Sequence, residues 1–150
     1  MPEQTYKRID LAKEQLEIAL EMFLLRRSFI SALTLAGAAE EIFGQALIQC
    51  GEKTTLQNEY PLIEPVENLF RKEPYKWSEF TEGKNRVRNA AKHMKDASQT
   101  MVTADMEDEA LWMIVRTLDN HTRLGFKPTP QMHEFEDWFN KNVVGLKHEV

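Results

Sequence analysis

The residues able to do chemistry gather in one stretch, Gly83-Lys84-Asn85-Arg86-Val87-Arg88-Asn89-Ala90-Ala91-Lys92-His93-Met94-Lys95. It holds five basic side chains and a histidine in a chain whose net charge is −5. A guanidinium keeps its charge and grips anions, while an imidazole with an unperturbed pKa of about 6.5 exchanges protons near neutrality. Anion binding coupled to proton transfer is the chemistry on offer. At about 100° per residue, Arg86 and His93 fall within about 20° of each other on a helix, and Asn89 precedes His93 by one turn, so the three can line one cleft. Val87, Ala90, Ala91, Met94 and Ala97 form the apolar side of that helix, and Lys84, Arg88, Lys92 and Lys95 gather on another flank.

Other chemistry finds little support. Glu40 and Glu41 are adjacent and diverge by about 100°, and no Glu-x-x-His pair is present, so a metal centre is not expected. Cys50 is the only cysteine and falls at a helix end, where the macrodipole disfavours a thiolate; a buried or inert thiol is expected. No phosphate-cradling glycine loop and no nucleophile elbow occurs, and no cofactor is called for. The acidic surface repels a polyanion, so any nucleic-acid contact must come from the local basic stretch.

The elements that would position these groups read as helices. Apolar residues recur at three- and four-residue steps from Thr5 to about Arg26. Ser28 to Cys50 is apolar nearly all round, ends before Gly51 and should be the central helix, its run Ala36-Gly37-Ala38-Ala39 allowing another backbone to come close. Ser31, Thr34, Glu41 and Gln45 mark a polar stripe along it, facing a cleft, a partner or water. Pro61 can open a short helix to about Arg71, which Pro74 stops. Ser78 or Thr81 would cap the basic helix. Thr103 or Asp105 starts an acid-led helix closed by Gly125, and Met132 to Phe139 give one more. No strand pattern appears, so the expectation is a single all-α domain over residues 1–150, a compact up-and-down bundle of about five helices. No run is apolar and long enough for a membrane span, no secretory leader opens the chain, and the cytoplasm is the expected compartment.

Arg88-Asn89-Ala90-Ala91-Lys92-His93 resembles the motif of the HEPN superfamily, an arginine and a histidine separated by four to six residues with a polar residue after the arginine. Arg86 fits as well, with six intervening residues. Ser31 to Gly44, with its small residues and Glu40-Glu41, is similar to the acidic second helix of such bundles, so the likeness covers about Ser28 to Leu124. Lys95 stands where toxin-type members carry a tyrosine. Arg116 and His121 also have the spacing, but nothing around them resembles the motif.

The resemblance implies an endoribonuclease working without metal, often at a two-fold dimer interface, or an RNA- or nucleotide-binding domain. In the catalytic form the ribose 2′-hydroxyl attacks the adjacent phosphate. His93 would be general base or acid, Arg88 or Arg86 would stabilise the pentavalent phosphate, and Asn89 would orient the phosphate or the imidazole. Lys92 would join Asn89 in binding, and Glu41, or its neighbour Glu40, would orient the histidine or arginine. A homodimer is expected, with room for a protein partner that neutralises the activity. The reading from another class is a noncatalytic helical dimerisation or interaction module, to which the acidic surface and small-residue central helix also point.

Overall fold

A buried stripe on the central helix organises the fold: Leu33, Ala36, Glu40, Phe43 and Leu47 recur at three- and four-residue steps and are all buried. In the computed structural model, which describes residues 1–95 and 97–145, that helix is α2 (Phe29–Gln49). It follows α1 (Arg8–Leu24) and precedes α3 (Thr55–Asn68), α4 (Trp77–Lys92), α5 (Met106–Arg123) and α6 (Pro130–Phe139). A 3₁₀ turn, Ala97–Gln99, lies between α4 and α5, and a π turn, Asn140–Val144, follows α6. No strand occurs among the described residues; the chain is an all-α bundle.

α2 packs along α1 on one side and α5 on the other. Its small residues permit this: Ala32, Ala36, Gly37, Ala39 and Gly44 are buried, and Thr117 on α5 reaches the carbonyl of Ala36 at 3.0 Å. Leu16, Leu20 and Phe23 from α1, Ile114 from α5 and Phe135 from α6 fill the remaining core. Each such side chain stabilises the fold by about 1.5–3 kcal/mol on burial. Arg26, in the α1–α2 turn, takes a positive φ of 51° and places its guanidinium in bidentate fashion on Glu107, at 2.5 and 2.8 Å.

Caps fix the boundaries. Ser28 accepts from the Ser31 amide to start α2, and Gly51, at φ 78°, ends it. Asp105 accepts from the amides of Glu107 and Asp108 to start α5, whose acidic first turn suits the positive helix start, and Gly125 closes it at φ 79°. Other boundaries differ from expectation. α4 starts at Trp77 with Lys76 as its N-cap rather than Ser78 or Thr81, because the Glu79 carboxylate accepts from the Lys76 amide at 3.0 Å and leaves both hydroxyl residues inside the helix. α3 starts at Thr55 rather than at Pro61, because Thr54 and Gln57 form a reciprocal capping box, and Pro61 and Pro65 then sit inside the helix. α4 stops at Lys92, so Met94 and Ala97 lie outside it. The reason is packing: Val87 is buried, but Ala90 and Ala91 are exposed and Met94 is 67% exposed, so nothing on the bundle rewards another turn.

Cys50 is exposed at the C-cap of α2 rather than buried. No helix among the described residues is long and apolar enough to cross a membrane.

Candidate functional site

α4 turns its two arginines in opposite directions. Arg88 folds down onto α2: its side chain is 11% exposed, Nη1 donates to the Gly37 carbonyl at 3.3 Å, and it lies 3.9 Å from Glu40 and 3.8 Å from Glu41. Gly37 makes this path available, since a Cβ there would collide with Cδ of Arg88. Behind it, Glu40 Oε1 is 3.2 Å from Nε of Arg116, and Arg116 donates to Asn85 at 2.6 Å, tying α2, α4 and α5 together. Burial pushes the Arg116 pKa down, against the upward pull of Glu40. Asn120 completes the cluster, its Nδ2 at 3.5 Å from Glu40 and its Oδ1 accepting from the Thr55 amide at 3.0 Å.

Arg86 points the other way. With Asn89, His93, Lys95 and Gln99 it lines an open pocket of about 730 Å³ between the end of α4 and the crossover that leads to α5. Arg86 donates through Nη2 to the Thr103 carbonyl at 3.2 Å, which braces the guanidinium against that crossover. His93 is not on the helix. It is the C-cap of α4, with extended backbone at φ −134° and ψ 128°, and its amide donates to the Asn89 carbonyl at 2.9 Å. Helical geometry therefore does not align Arg86 with His93; the extended backbone at the C-cap sets the imidazole at the pocket instead. Asn89 bridges the two sides of α4, because its Oδ1 also accepts from Nη2 of Arg88, at 3.4 Å.

Of the residues singled out from sequence, the pocket thus unites Arg86, Asn89 and His93. Arg88 is taken up by α2. Lys92 and Glu41 border a different groove, with Arg8 and Gln45. The expected basic flank is dispersed: Lys84 pairs with Glu59 at 2.9 Å, Lys95 joins the His93 pocket, and Arg88 and Lys92 are placed as above. Glu41 is 64% exposed at its side chain, whereas Glu40 is buried and holds both inward arginines. Glu40 shares the seven-residue stripe of Leu33 and Leu47, the signal that marks it as the inward carboxylate.

Arg116 and His121 are both buried, at 6% and 2% exposure. His121 packs against Phe43 and Phe126, and burial, assisted by the nearby Lys13, pushes its pKa down. The pocket sets Arg86 and Lys95, which attract an anion, beside His93, with the Glu82 carboxylate in the same lining opposing one. Comparison with family models, with curated proteins and with solved structures gave no match.

Proposed function

We propose that this chain is a HEPN-like RNA-processing protein whose working pocket is the one formed by Arg86, Asn89 and His93. The observation that carries this reading is the convergence of a guanidinium, a carboxamide and an exposed imidazole on one open pocket, at a segment that resembles the HEPN motif. Of the two arginines that fit the motif, Arg86 is the one available to a ligand. Arg88 becomes a positioning residue that acts through Asn89 and through the docking of α4.

In this reading a phosphodiester sits against Arg86 and Lys95. His93 takes the proton from a ribose 2′-hydroxyl, the 2′-oxygen bonds to phosphorus, and the bond from phosphorus to the 5′-oxygen breaks. The 5′-oxygen then takes up a proton, leaving a 2′,3′-cyclic phosphate and a 5′-hydroxyl. Arg86 stabilises the negative charge that grows on the phosphoryl oxygens, and Asn89 fixes the orientation of the phosphate.

The test is incubation of a mixed-sequence RNA with wild type and His93→Ala in EDTA, followed by analysis of product ends. The expected outcome is cyclic phosphate ends from the wild type and a loss of about 10²–10⁴-fold in the variant. Equal or absent cleavage by both proteins rejects the catalytic reading. The second reading, a noncatalytic helical interaction module, is favoured by the use of Arg88 in the fold, and it predicts a wild type without RNA affinity.

A further inference from the structure

One side chain does not fit a pocket built for phosphate alone. Glu82 is the one carboxylate among the described residues that line the His93 pocket, and it stands four residues before Arg86 on α4. That is the order in which a glutamate and a basic residue pair along a helix. Arg86 instead gives its Nη2 to the Thr103 carbonyl, and Glu82 is exposed with no hydrogen bond or ion pair among the described residues. A carboxylate in that place repels a phosphate, so it serves the pocket only where another part of the ligand donates to it.

The bases of RNA differ in what they can donate. Guanine carries two adjacent donors on one edge, the N1 hydrogen and the 2-amino group, and a carboxylate, which only accepts, takes both at once. Adenine and cytosine set a single amino donor beside a ring-nitrogen acceptor, and uracil flanks its one ring N–H with two carbonyls. Each of those three brings an acceptor against the carboxylate. Reading that edge requires an unpaired base, as single-stranded RNA supplies. The spacing suits one nucleotide: Glu82 and Asn89 are seven residues apart, about 10 Å along the axis, the reach from a phosphate at Asn89 and Arg86 to the edge of its base. The pocket, at about 730 Å³, is of the size that encloses a small ligand. Met101 in the same lining is 91% exposed and offers a thioether, which packs well on aromatic rings.

We infer that the His93 pocket selects guanine, Glu82 accepting from N1–H and the 2-amino group of the nucleotide whose phosphate lies on Arg86. The base is that of the nucleoside supplying the attacking 2′-hydroxyl, because its sugar is held at both the phosphate and His93. Cleavage then falls on the 3′ side of guanosine. Glu82 touches the base and takes no part in the proton transfers. The assignment rests on the reading of the pocket as an RNA site, but binding alone tests it.

The experiment is titration calorimetry of the full chain with the four ribonucleoside 3′-monophosphates. Wild type is expected to bind guanosine 3′-monophosphate about 10–100-fold tighter than the other three, the worth of a bidentate contact to a base edge. Glu82→Ala is expected to bind all four alike, the guanosine compound weakened and the others no weaker than in wild type, since a repelling charge is gone. Inosine 3′-monophosphate, which lacks only the 2-amino group, checks the contact without any substitution. Its binding to wild type is expected to fall about 10-fold below that of the guanosine compound, as loss of a hydrogen bond to a charged group requires. A wild type that binds none of the four, binds them alike, or fails to distinguish guanosine from inosine overturns the inference. So does a Glu82→Ala protein that keeps the preference. A wild type that prefers guanosine 3′-monophosphate yet leaves RNA intact in EDTA supports guanine selection and defeats only the catalytic reading. One that cuts RNA after all four bases alike does the reverse.

Discussion

The two sides of α4 obey different rules. On the side facing α2, Arg88 is partly buried, crosses Gly37 and shares Glu40 with Arg116, so the charges there are committed to holding three helices together. On the side facing the crossover, Arg86, Asn89 and His93 border open space, and the helix stops at Lys92 where the bundle offers Met94 no surface to bury against. A stretch that offers two arginines and one histidine thus divides into a fastening and an open pocket, with Arg88 in the fastening and Arg86 at the pocket.

The comparison can be broken first at Glu40. Glu40→Ala leaves Arg88 and Arg116 without their shared counter-charge inside the bundle, and the expected loss is about 3–5 kcal/mol in urea unfolding. A loss below about 1 kcal/mol would show that water already serves the two arginines. Gly37→Ala comes next: the added methyl displaces Arg88, and the expected cost is about 1–3 kcal/mol. Amide exchange should then quicken in α4 more than in α1. An unchanged exchange pattern would mean that Arg88 does not dock the helix.

The pH dependence of stability sharpens the core side. Burial lowers the folded-state pKa of His121, so the unfolded chain binds the proton more readily than the folded one. The contribution is full above about pH 6.5, the unfolded value, and is lost as pH falls below it, by at most about 1.4 kcal/mol per unit. His121→Phe should flatten that part of the stability curve, and an unaltered slope would assign it to other groups. The smallest expected effect is His93→Ala, which should move stability by no more than about 0.5 kcal/mol because the side chain is exposed. A larger loss would make His93 a structural cap rather than a working group.

Much of this architecture was legible in the residues. The apolar central helix, the close-packed run from Ala36 to Ala39, the acid-led start of α5 and the stop at Gly125 follow from periodicity and caps. The end of α4 was not, because Ala90, Ala91 and Met94 continue the apolar period while the bundle offers them no surface. The start of α3 was hidden by Pro61, which reads as a helix opener although Thr54 and Gln57 cap the helix earlier. In the candidate pocket, the grouping of Arg86, Asn89 and His93 was readable, but the reason for it was not: extended backbone at the C-cap, not a shared helical flank, sets the imidazole. Choosing between the two arginines needed tertiary information, namely that Gly37 opens a path to Glu40 for Arg88 alone.

Arg86→Ala is the most direct measurement of the division between pocket and fastening, with thermal unfolding and RNA cleavage in EDTA read on the same sample. The account predicts an unfolding midpoint equal to that of the wild type and a rate of cyclic-phosphate formation lower by about 10²–10³-fold. A wild type that cleaves RNA, beside an Arg86→Ala protein that cleaves it equally well, would contradict the account.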